Sequence, residues 1–318
     1  MKITVTEPLG IDQAAIDRLM EPFTKRGIQV VYHYDKAKDE AELCQRCADS
    51  DIIITANQPF PDSVVRACKK AKLIDVAFTG TDHIGKKAAA EMGITVCNAQ
   101  GYATEAVAEL AIALAIDLLR SVVLLDASIR LGGTRGRFVG RELKGKTFGV
   151  IGTGAIGIRT AELAKAFGCD VIGWSRTRKS EAEAAGIRYV SFDEVLEQSD
   201  ILSLHVPLND ATRGMIGAEQ LSKMKPTALL INTARGAVVD EDALAAALKS
   251  GKIGGAGLDV FAGEPPLPEE APILYAPNTI LTPHIAFVSE ESFDGRAEIV
   301  FENALAFIDG NPVNVVGL

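Results

Sequence analysis

An apolar run leads directly into three spaced glycines in the stretch Thr147-Phe-Gly-Val-Ile-Gly-Thr-Gly-Ala-Ile-Gly157. The run is typical of a buried β-strand, and the Ala-rich residues 158–167 that follow the spacing Gly152-x-Gly154-x-x-Gly157 predict a helix. The first glycine permits a tight turn, the second lets the backbone approach a pyrophosphate, and the third lets the helix pack closely on its strand. The stretch therefore predicts a domain that binds a dinucleotide at the positive end of a helix.

Apolar runs alternate with helix-like segments over the chain of 318 residues, which is long enough for two domains. Such alternation is typical of parallel β-sheets that are flanked by helices. We therefore predict an α/β fold with two doubly wound parallel-sheet domains, one a Rossmann dinucleotide-binding domain and the other flavodoxin-like. The first series of runs lies at residues 3–6, 28–32, 51–55, 73–78 and 94–98, and the second at residues 148–151, 171–174, 201–204, 228–231, 256–260 and 280–282.

The position of the glycines predicts which domain binds the cofactor. They lie in the second series, so residues 101–286 are predicted to form the dinucleotide-binding domain. The first series carries no phosphate-binding glycine pattern, and a helix-like segment at residues 290–308 is expected to return the chain to it. The substrate-binding, catalytic domain is thus predicted to be discontinuous, with residues 1–100 plus 287–318.

Composition and charge narrow the class of protein. The net charge of −9 and the absence of a long Lys/Arg cluster argue against a nucleic-acid partner. The long apolar segment 104–125 contains Glu109, Asp117 and Arg120, which is typical of a buried helix, so no membrane partner is predicted. Five cysteines and no signal peptide predict free thiols and a cytoplasmic protein. No metal is predicted, because Cys44-Gln-Arg-Cys47 has no second ligand pair.

Polar residues follow the strands of the second series, at the edge where open α/β sheets bind ligands. Arg235 carries a guanidinium fork that suits two hydrogen bonds to a carboxylate. His284 carries an imidazole, which exchanges protons near neutral pH, and a short Gly/Pro loop can bring Glu264 beside it to orient the ring. With a nicotinamide these groups predict reversible reduction of a 2-oxo acid: hydride reaches the ketone carbon, His284 protonates the oxygen, and Arg235 holds the carboxylate.

Six segments of the chain match a known family. They are Gly80-Thr-Asp-His-Ile84, Val107-Ala-Glu109, Gly152-Thr-Gly-Ala-Ile-Gly157, Asn232-Thr-Ala-Arg-Gly236, Leu258-Asp-Val260 with Glu264-Pro265, and Pro283-His284. With them the whole chain resembles the D-2-hydroxyacid dehydrogenases, which include glycerate, phosphoglycerate and D-lactate dehydrogenases and glyoxylate/hydroxypyruvate reductases. The resemblance implies a small 2-oxo or 2-hydroxy acid substrate, most similar to glyoxylate or hydroxypyruvate, and a homodimer built by residues 104–130. It also implies Arg235 as substrate anchor, Glu264 as partner of the histidine, and His284 as acid/base.

The resemblance implies further contacts with substrate and cofactor. Thr79 and Gly80 would offer backbone N–H groups to the substrate carboxylate beside Arg235 and His284, and Asp259 would contact the nicotinamide amide. The expected cofactor contacts are Thr104, Gly152, Thr153, Gly154, Ala155, Ile156, Gly157, Ser175, Arg176, Thr177, His205, Val206, Pro207, Thr212, Thr233, Ala234, Arg235, Asp259 and His284. The chain departs from the family at Phe287, where a small residue is common. We expect Phe287 to narrow the pocket or to reshape the hinge.

The second strand of the cofactor domain ends in Gly173-Trp-Ser-Arg-Thr-Arg-Lys179. NAD-specific folds usually carry an acidic residue there, which accepts hydrogen bonds from the ribose hydroxyls. This chain instead has Ser175, Arg176, Thr177 and Arg178, which can bind and neutralise a 2′-phosphate. The sequence therefore favours NADP(H). A solvated basic loop that still accepts NAD(H) is the open alternative.

Two other functions stay open from the sequence. A phosphite-type dehydrogenase of the same superfamily shares the motifs, whereas Glu264 argues against a formate enzyme. A nicotinamide-sensing, corepressor-like binding protein also shares them and would use the dinucleotide to control assembly. Turnover of a 2-oxo acid separates the dehydrogenase from both alternatives.

Overall fold

The computed structural model describes residues 1–317, and contacts between Cα atoms divide the chain into two compact units. The first unit consists of Met1–Ala103 together with the chain from Val288 onward, and the second unit is Thr104–Phe287. Each unit is built on its own parallel β-sheet. The assignment of substrate to the first unit and cofactor to the second stays a prediction.

The sheet of the first unit consists of short apolar strands. Its strand β3, Ile52-Ile-Ile-Thr, is buried at every position, as expected where helices cover both faces of a parallel sheet. The strands are β1 (Lys2–Val5), β2 (Gln29–Tyr32), β3 (Ile52–Thr55), β4 (Leu73–Val76) and β5 (Thr95–Asn98), in the order β2-β1-β3-β4-β5. The helices between them are α1 (Gln13–Lys25), α2 (Glu40–Cys47), α3 (Asp62–Ala67) and α4 (Lys86–Met92).

The second unit starts with two helices that the sequence predicts as one segment. They are α5 (Thr104–Arg120) and α6 (Val122–Arg130). Ser121, between them, has a left-handed backbone (φ 49°) that ends the first helix. Apolar side chains of α5 are buried, whereas no residue of α6 is buried. None of the helices within residues 1–317 has the length and apolar character needed to cross a membrane.

The sheet of the second unit has seven strands, and its order reverses at β6. The strands are β6 (Thr147–Ile151), β7 (Asp170–Trp174), β8 (Arg188–Tyr189), β9 (Ile201–Leu204), β10 (Leu229–Asn232), β11 (Gly255–Leu258) and β12 (Thr279–Leu281), in the order β12-β11-β10-β9-β6-β7-β8. The helices are α7 (Ala155–Ala166), α8 (Ser180–Ala184), α9 (Phe192–Gln198), α10 (Ala218–Lys223) and α11 (Glu241–Lys249). The predicted fold class is confirmed. Among the strands of the two sheets, only β8 was not predicted from the sequence, because two residues are too few to show the hydrophobic pattern of a strand.

The last helix, α12 (Glu290–Ile308), belongs to the first unit, and a buried polar network holds it there. The side-chain amide of Asn303 donates to the Asp75 carboxylate at 3.0 Å and to the Asn98 carbonyl at 3.1 Å. Its oxygen accepts a hydrogen bond from Asn314 at 2.8 Å. Burial raises the pKa of Asp75 well above its usual value, which favours the neutral acid in this core. The network fixes the helix against β4 and β5.

Candidate active site

The glycine loop between β6 and α7 combines close packing with open space. Gly152 has a positive φ of 97°, and a side chain there would meet the carbonyl of His205. A side chain at Gly157 would meet the carbonyl of Gly152. A Cβ at Gly154, by contrast, meets no heavy atom within 4 Å, and no side chain caps this end of the helix. The helix N-terminus therefore offers both space and N–H groups to an anion.

β6 and β9 are neighbours at the point where the strand order reverses, which is where open α/β sheets form a ligand crevice. His205 follows β9, and its Nε2 lies 2.9 Å from Ser203 Oγ. Burial lowers the pKa of His205 to about 4, so the ring is neutral near pH 7. Val206 and Pro207 come next, and the Thr212 hydroxyl donates to the Pro207 carbonyl at 2.6 Å. Internal hydrogen bonds hold this segment, and His205, Val206 and Pro207 add no charge to the crevice.

The basic loop, residues 175–179, connects β7 to α8. Ser175 is partly buried, whereas Arg176 and Thr177 are exposed. The loop contains no acidic residue. Its three consecutive polar residues are therefore available to a negatively charged group beyond the end of β7.

Arg235 lies in the turn that follows β10, and Asn232 shapes this turn. The side chain of Asn232 accepts a hydrogen bond from the Ala234 N–H at 3.1 Å and donates one to the Arg235 carbonyl at 3.0 Å. The guanidinium of Arg235 donates to the Ala234 carbonyl at 2.7 Å. Gly236 packs so closely on Phe261 that a side chain there would overlap the Phe261 carbonyl. The guanidinium is thus carried by a tightly folded turn at the carboxyl edge of the sheet.

His284 and Glu264 form an ion-pair geometry, as the sequence predicts from the loop between them. The imidazole Nδ1 lies 3.2 Å from Glu264 Oε1. The two side chains are 32% and 48% exposed, so solvent and small molecules reach the pair. The ring of Phe287 stands edge-on to the imidazole, at 5.5 Å between ring centroids and 87° between planes. The imidazole is therefore oriented by a carboxylate and bounded by an aromatic ring.

Asp259 organises the backbone around His284. Its carboxylate is fully buried and accepts hydrogen bonds from the Thr282 hydroxyl at 2.6 Å and from the N–H groups of Ile285 and Ala286 at 2.8 Å each. Its carbonyl accepts the N–H of His284 at 2.8 Å. Burial raises the pKa of Asp259 above its usual value, and these hydrogen bonds act in the opposite direction. The contact of Asp259 with a nicotinamide amide stays a prediction.

Two residues that shape the site were not predicted from the sequence. The carboxylate of Glu241, at the start of α11, accepts a hydrogen bond from the N–H of Ala262, two residues before Glu264. The hydroxyl of Tyr189 accepts a hydrogen bond from the N–H of Lys179 at the end of the basic loop. Neither residue belongs to a motif, and each contact joins residues from different elements, 21 and 10 positions apart in the sequence. Only the fold brings them together.

The remaining predicted contacts lie at element ends. Thr104 is the first residue of α5, and Thr79 and Gly80 follow β4 in the first unit, where the Thr79 carbonyl accepts a hydrogen bond from the Asn98 side chain at 2.7 Å. Among residues 1–317, no group of three His, Cys, Asp or Glu side chains is arranged to hold a metal ion. The roles of the individual site residues stay predictions.

Comparisons with known proteins identify the family. Residues 112–286 match the family model described as D-isomer specific 2-hydroxyacid dehydrogenase, NAD binding domain. This chain belongs to the D-isomer-specific 2-hydroxyacid dehydrogenase family. A glyoxylate reductase of Thermococcus litoralis is 42% identical over 292 residues, which is 88% of each chain. The predicted family and the predicted enzyme class, an oxidoreductase acting on CH–OH groups, are confirmed.

Solved structures of other reductases superimpose on the whole chain. An acyclic imino acid reductase (Bsp5) in complex with NADPH and D-Arg has a TM-score of 0.89 at 32% identity and covers 100% of both chains. A glyoxylate reductase from Paecilomyes thermophila has a TM-score of 0.90 at 32% identity and covers 99% of this chain and 98% of its own. These likenesses and the family model support a nicotinamide dinucleotide as the cofactor.

The second unit fits such a dinucleotide. The open space beside Gly154 at the start of α7 suits a pyrophosphate, because backbone N–H groups there lack side-chain caps. The hydroxyl of Thr233, 7% exposed in the turn after β10, has no hydrogen-bond partner among the described residues. Buried hydroxyls are usually paired, so a ligand at this turn would satisfy it.

Substituting the glycines of this loop should separate folding from binding. We expect Gly157→Ala to lower the free energy of unfolding by about 2 kcal/mol or more, because the methyl group overlaps the Gly152 carbonyl. Gly154→Ala should cost less than about 1 kcal/mol, the cost of an alanine at a helix N-cap. It should nevertheless weaken dinucleotide binding about ten-fold or more, because the methyl group occupies the space that a pyrophosphate requires.

Chemical denaturation gives the stabilities, and quenching of Trp174, the single tryptophan, gives the affinities. Unaltered dinucleotide binding by a folded Gly154→Ala variant would contradict this assignment of the pyrophosphate site.

Proposed function

We propose that this enzyme reduces a small 2-oxo acid to the 2-hydroxy acid, in reversible fashion, with Arg235, Glu264 and His284 as its catalytic residues. The observation that carries the proposal is the 3.2 Å contact between His284 Nδ1 and Glu264 Oε1. Glu264 follows β11 and His284 follows β12. Arg235 follows β10, which is the neighbour of β11 in the sheet. Because parallel strands end at one edge, an acid/base group and a carboxylate-binding group share that edge.

His284 moves the proton of the reaction. Because Nδ1 faces Glu264, Nε2 is the ring nitrogen that we propose contacts the substrate oxygen. In the reducing direction, Nε2 of the charged ring donates its proton to the oxygen at carbon 2, and in the oxidising direction neutral Nε2 removes that proton. Glu264 is proposed to hold the ring in one orientation. When it is bound, the nicotinamide supplies or accepts the hydride at carbon 2.

Arg235 anchors the substrate and polarises its reacting carbonyl. Its planar fork suits two charge-assisted hydrogen bonds to the carboxylate next to the reacting carbon. The folded turn held by Asn232 supports this role, since it limits the positions of the guanidinium stem. Thr79 and Gly80 stay proposed as further substrate contacts.

A small substrate of the glyoxylate or hydroxypyruvate type fits this site best. The Thermococcus litoralis relative and the Paecilomyes thermophila structure are both named glyoxylate reductase, which supports this substrate class. The ring of Phe287, 5.5 Å from the imidazole, occupies space beside the acid/base group. A bulky substituent at carbon 3 would compete with that ring for space.

NADP(H) is the preferred cofactor in this proposal, and NAD(H) is the weaker one. Ser175, Arg176 and Thr177 follow β7, where the 2′ position of the adenosine ribose binds in this fold. They provide a positive charge and hydroxyl donors, and no carboxylate lies in the basic loop to repel a phosphate. The printed description of the imino acid reductase complex includes NADPH, which supports the same preference.

The enzyme is proposed to act as a homodimer that forms through α6. Leu124, Ile129 and Leu131 are 65%, 63% and 87% exposed, and no residue of the helix is buried. A groove of about 510 Å³ beside α6 is lined in part by Leu124 and Phe138. A second copy of the chain would remove this apolar surface from water.

All five cysteines are free thiols, which supports the proposed cytoplasmic location.

Replacing either member of the proposed acid/base pair should lower turnover. We expect His284→Gln to lower kcat for glyoxylate reduction about a thousand-fold, because the group that transfers the proton is lost. Glu264→Gln should lower kcat about ten- to a hundred-fold, because the imidazole is no longer oriented by a carboxylate. Glu270→Gln, an exposed acid of the same loop, is the matched control and should retain full activity. Nicotinamide absorbance with glyoxylate and hydroxypyruvate gives the rates. Near-normal turnover by His284→Gln would refute the mechanism.

The cofactor preference should depend on the charge at residue 175. The wild-type enzyme is expected to favour NADPH over NADH in kcat/KM, and Ser175→Asp should shift the ratio toward NADH by about ten- to a hundred-fold, since a carboxylate repels the 2′-phosphate and accepts the ribose hydroxyls. Ser222→Asp adds the same charge on the exposed surface of α10 as a control. A wild-type enzyme that strongly prefers NADH would overturn the proposed preference.

Charged residues on α6 should disrupt the dimer. The double variant Leu124→Arg/Ile129→Arg is expected to convert a dimer to a monomer, because burying two unpaired charges costs several kcal/mol, on the order of the stability of such an interface. Leu274→Arg, at another exposed apolar position, should leave the dimer unchanged. Light scattering after size-exclusion chromatography measures the mass. A monomeric wild-type protein would contradict the proposal.

A further inference from the structure

Tyr189 contacts two loops that are separate in sequence. Its hydroxyl lies 2.7 Å from the Thr153 hydroxyl, inside the glycine loop, and accepts the N–H of Lys179, at the end of the basic loop, at 3.1 Å. The Arg178 guanidinium lies over the tyrosine ring, 5.5 Å from its centroid. Thr153 is 1% exposed, so this end of the contact is shielded from water. One hydroxyl therefore ties the glycine loop to the basic loop.

The basic loop is held at both of its ends. At its start, Trp174 packs edge-on against Phe192, with ring centroids 5.0 Å apart. At its end, Tyr189 holds Lys179 by the hydroxyl and Arg178 by the ring. Because exposed loops lose conformational freedom when they bind a ligand, a loop that is already fixed loses less. These contacts therefore reduce the conformational entropy that the basic loop loses when it binds a ligand.

We infer that Tyr189 is a positioning residue for the 2′-phosphate and thereby a determinant of cofactor preference. The inference rests on the proposed preference for NADP(H). The glycine loop serves the pyrophosphate, which both cofactors possess, whereas the basic loop serves the 2′-phosphate, which only NADP(H) carries. Removing the tyrosine hydroxyl releases the end of the basic loop and keeps the ring under Arg178. The loss therefore falls on the 2′-phosphorylated nucleotide.

Tyr189→Phe tests this role with two adenosine fragments. Quenching of the single tryptophan, Trp174, at the start of the basic loop, reports binding of adenosine 2′,5′-bisphosphate and of 5′-AMP. We expect the variant to bind the bisphosphate about five-fold more weakly, the scale of one hydrogen bond, and 5′-AMP less than about two-fold more weakly. The ratio of kcat/KM for NADPH and NADH should fall by the same factor. Tyr275→Phe, which loses an exposed hydroxyl bond of 2.7 Å to the Glu269 carbonyl, is the matched control.

Substitutions at Thr153 test the other end of the contact. Thr153→Val, which lacks the hydroxyl, should reproduce the selective loss of affinity for the bisphosphate, whereas Thr153→Ser, which keeps the hydroxyl, should retain the cofactor preference of the wild-type enzyme. The loss of affinity in the double variant Tyr189→Phe/Thr153→Val should be smaller than the sum of the losses in the two single variants. This series also keeps the test available if Tyr189→Phe does not fold.

An equal effect of Tyr189→Phe on both fragments, or no effect on either, would overturn the inference. The wild-type ratio of the two affinities tests the proposed cofactor preference separately. The two conclusions can therefore fail independently.

Discussion

The close approach of Gly157 to the carbonyl of Gly152 is the constraint on which the second unit depends. Because no side chain separates these residues, α7 starts directly against the end of β6 and directs its N-terminus along the carboxyl edge of the sheet. Arg235 and His284 follow strands that end at the same edge. The proposed anion-binding helix end and the proposed acid/base pair thus lie at one edge of the same sheet.

A second constraint acts on the histidine. His284 has a left-handed backbone, with φ at 55°, which costs a residue with a side chain about 1–3 kcal/mol. The buried Asp259 carboxylate offsets this cost with three hydrogen bonds to Thr282, Ile285 and Ala286, each contributing about 1 kcal/mol or more. The unusual backbone is therefore maintained by the surrounding loop. In this conformation the imidazole Nδ1 lies 3.2 Å from Glu264 Oε1.

Much of this architecture follows from local sequence signals. The strands and the turn at the start of α7 were predictable, because periodicity and turn residues act over a few positions. The His284–Glu264 pairing was predictable because both residues follow neighbouring strands of a parallel sheet and so lie at the same edge. The break at Ser121 was not, since nothing in its apolar neighbourhood distinguishes a left-handed serine from a helical one. The contacts of Tyr189 and of Asn303 were also not predictable, because their partners are far away in the sequence and only the packed fold selects them.

Chemistry and specificity depend on different parts of the molecule. Gly157 and Asp259 are buried in backbone contacts, so changing them disturbs the fold before it changes the reaction. Arg176 and Thr177 are exposed, so a substitution there changes the polar surface of the basic loop at little cost in stability. The same frame can therefore carry different specificities. A glyoxylate reductase and an imino acid reductase that both superimpose on this chain at 32% identity are consistent with this division. Tyr189 lies between the two parts, because its hydroxyl joins a fixed loop to a variable one. If Tyr189 positions the basic loop as proposed, preference for a cofactor depends on how rigidly the glycine loop holds the basic loop as well as on the charge that the basic loop carries.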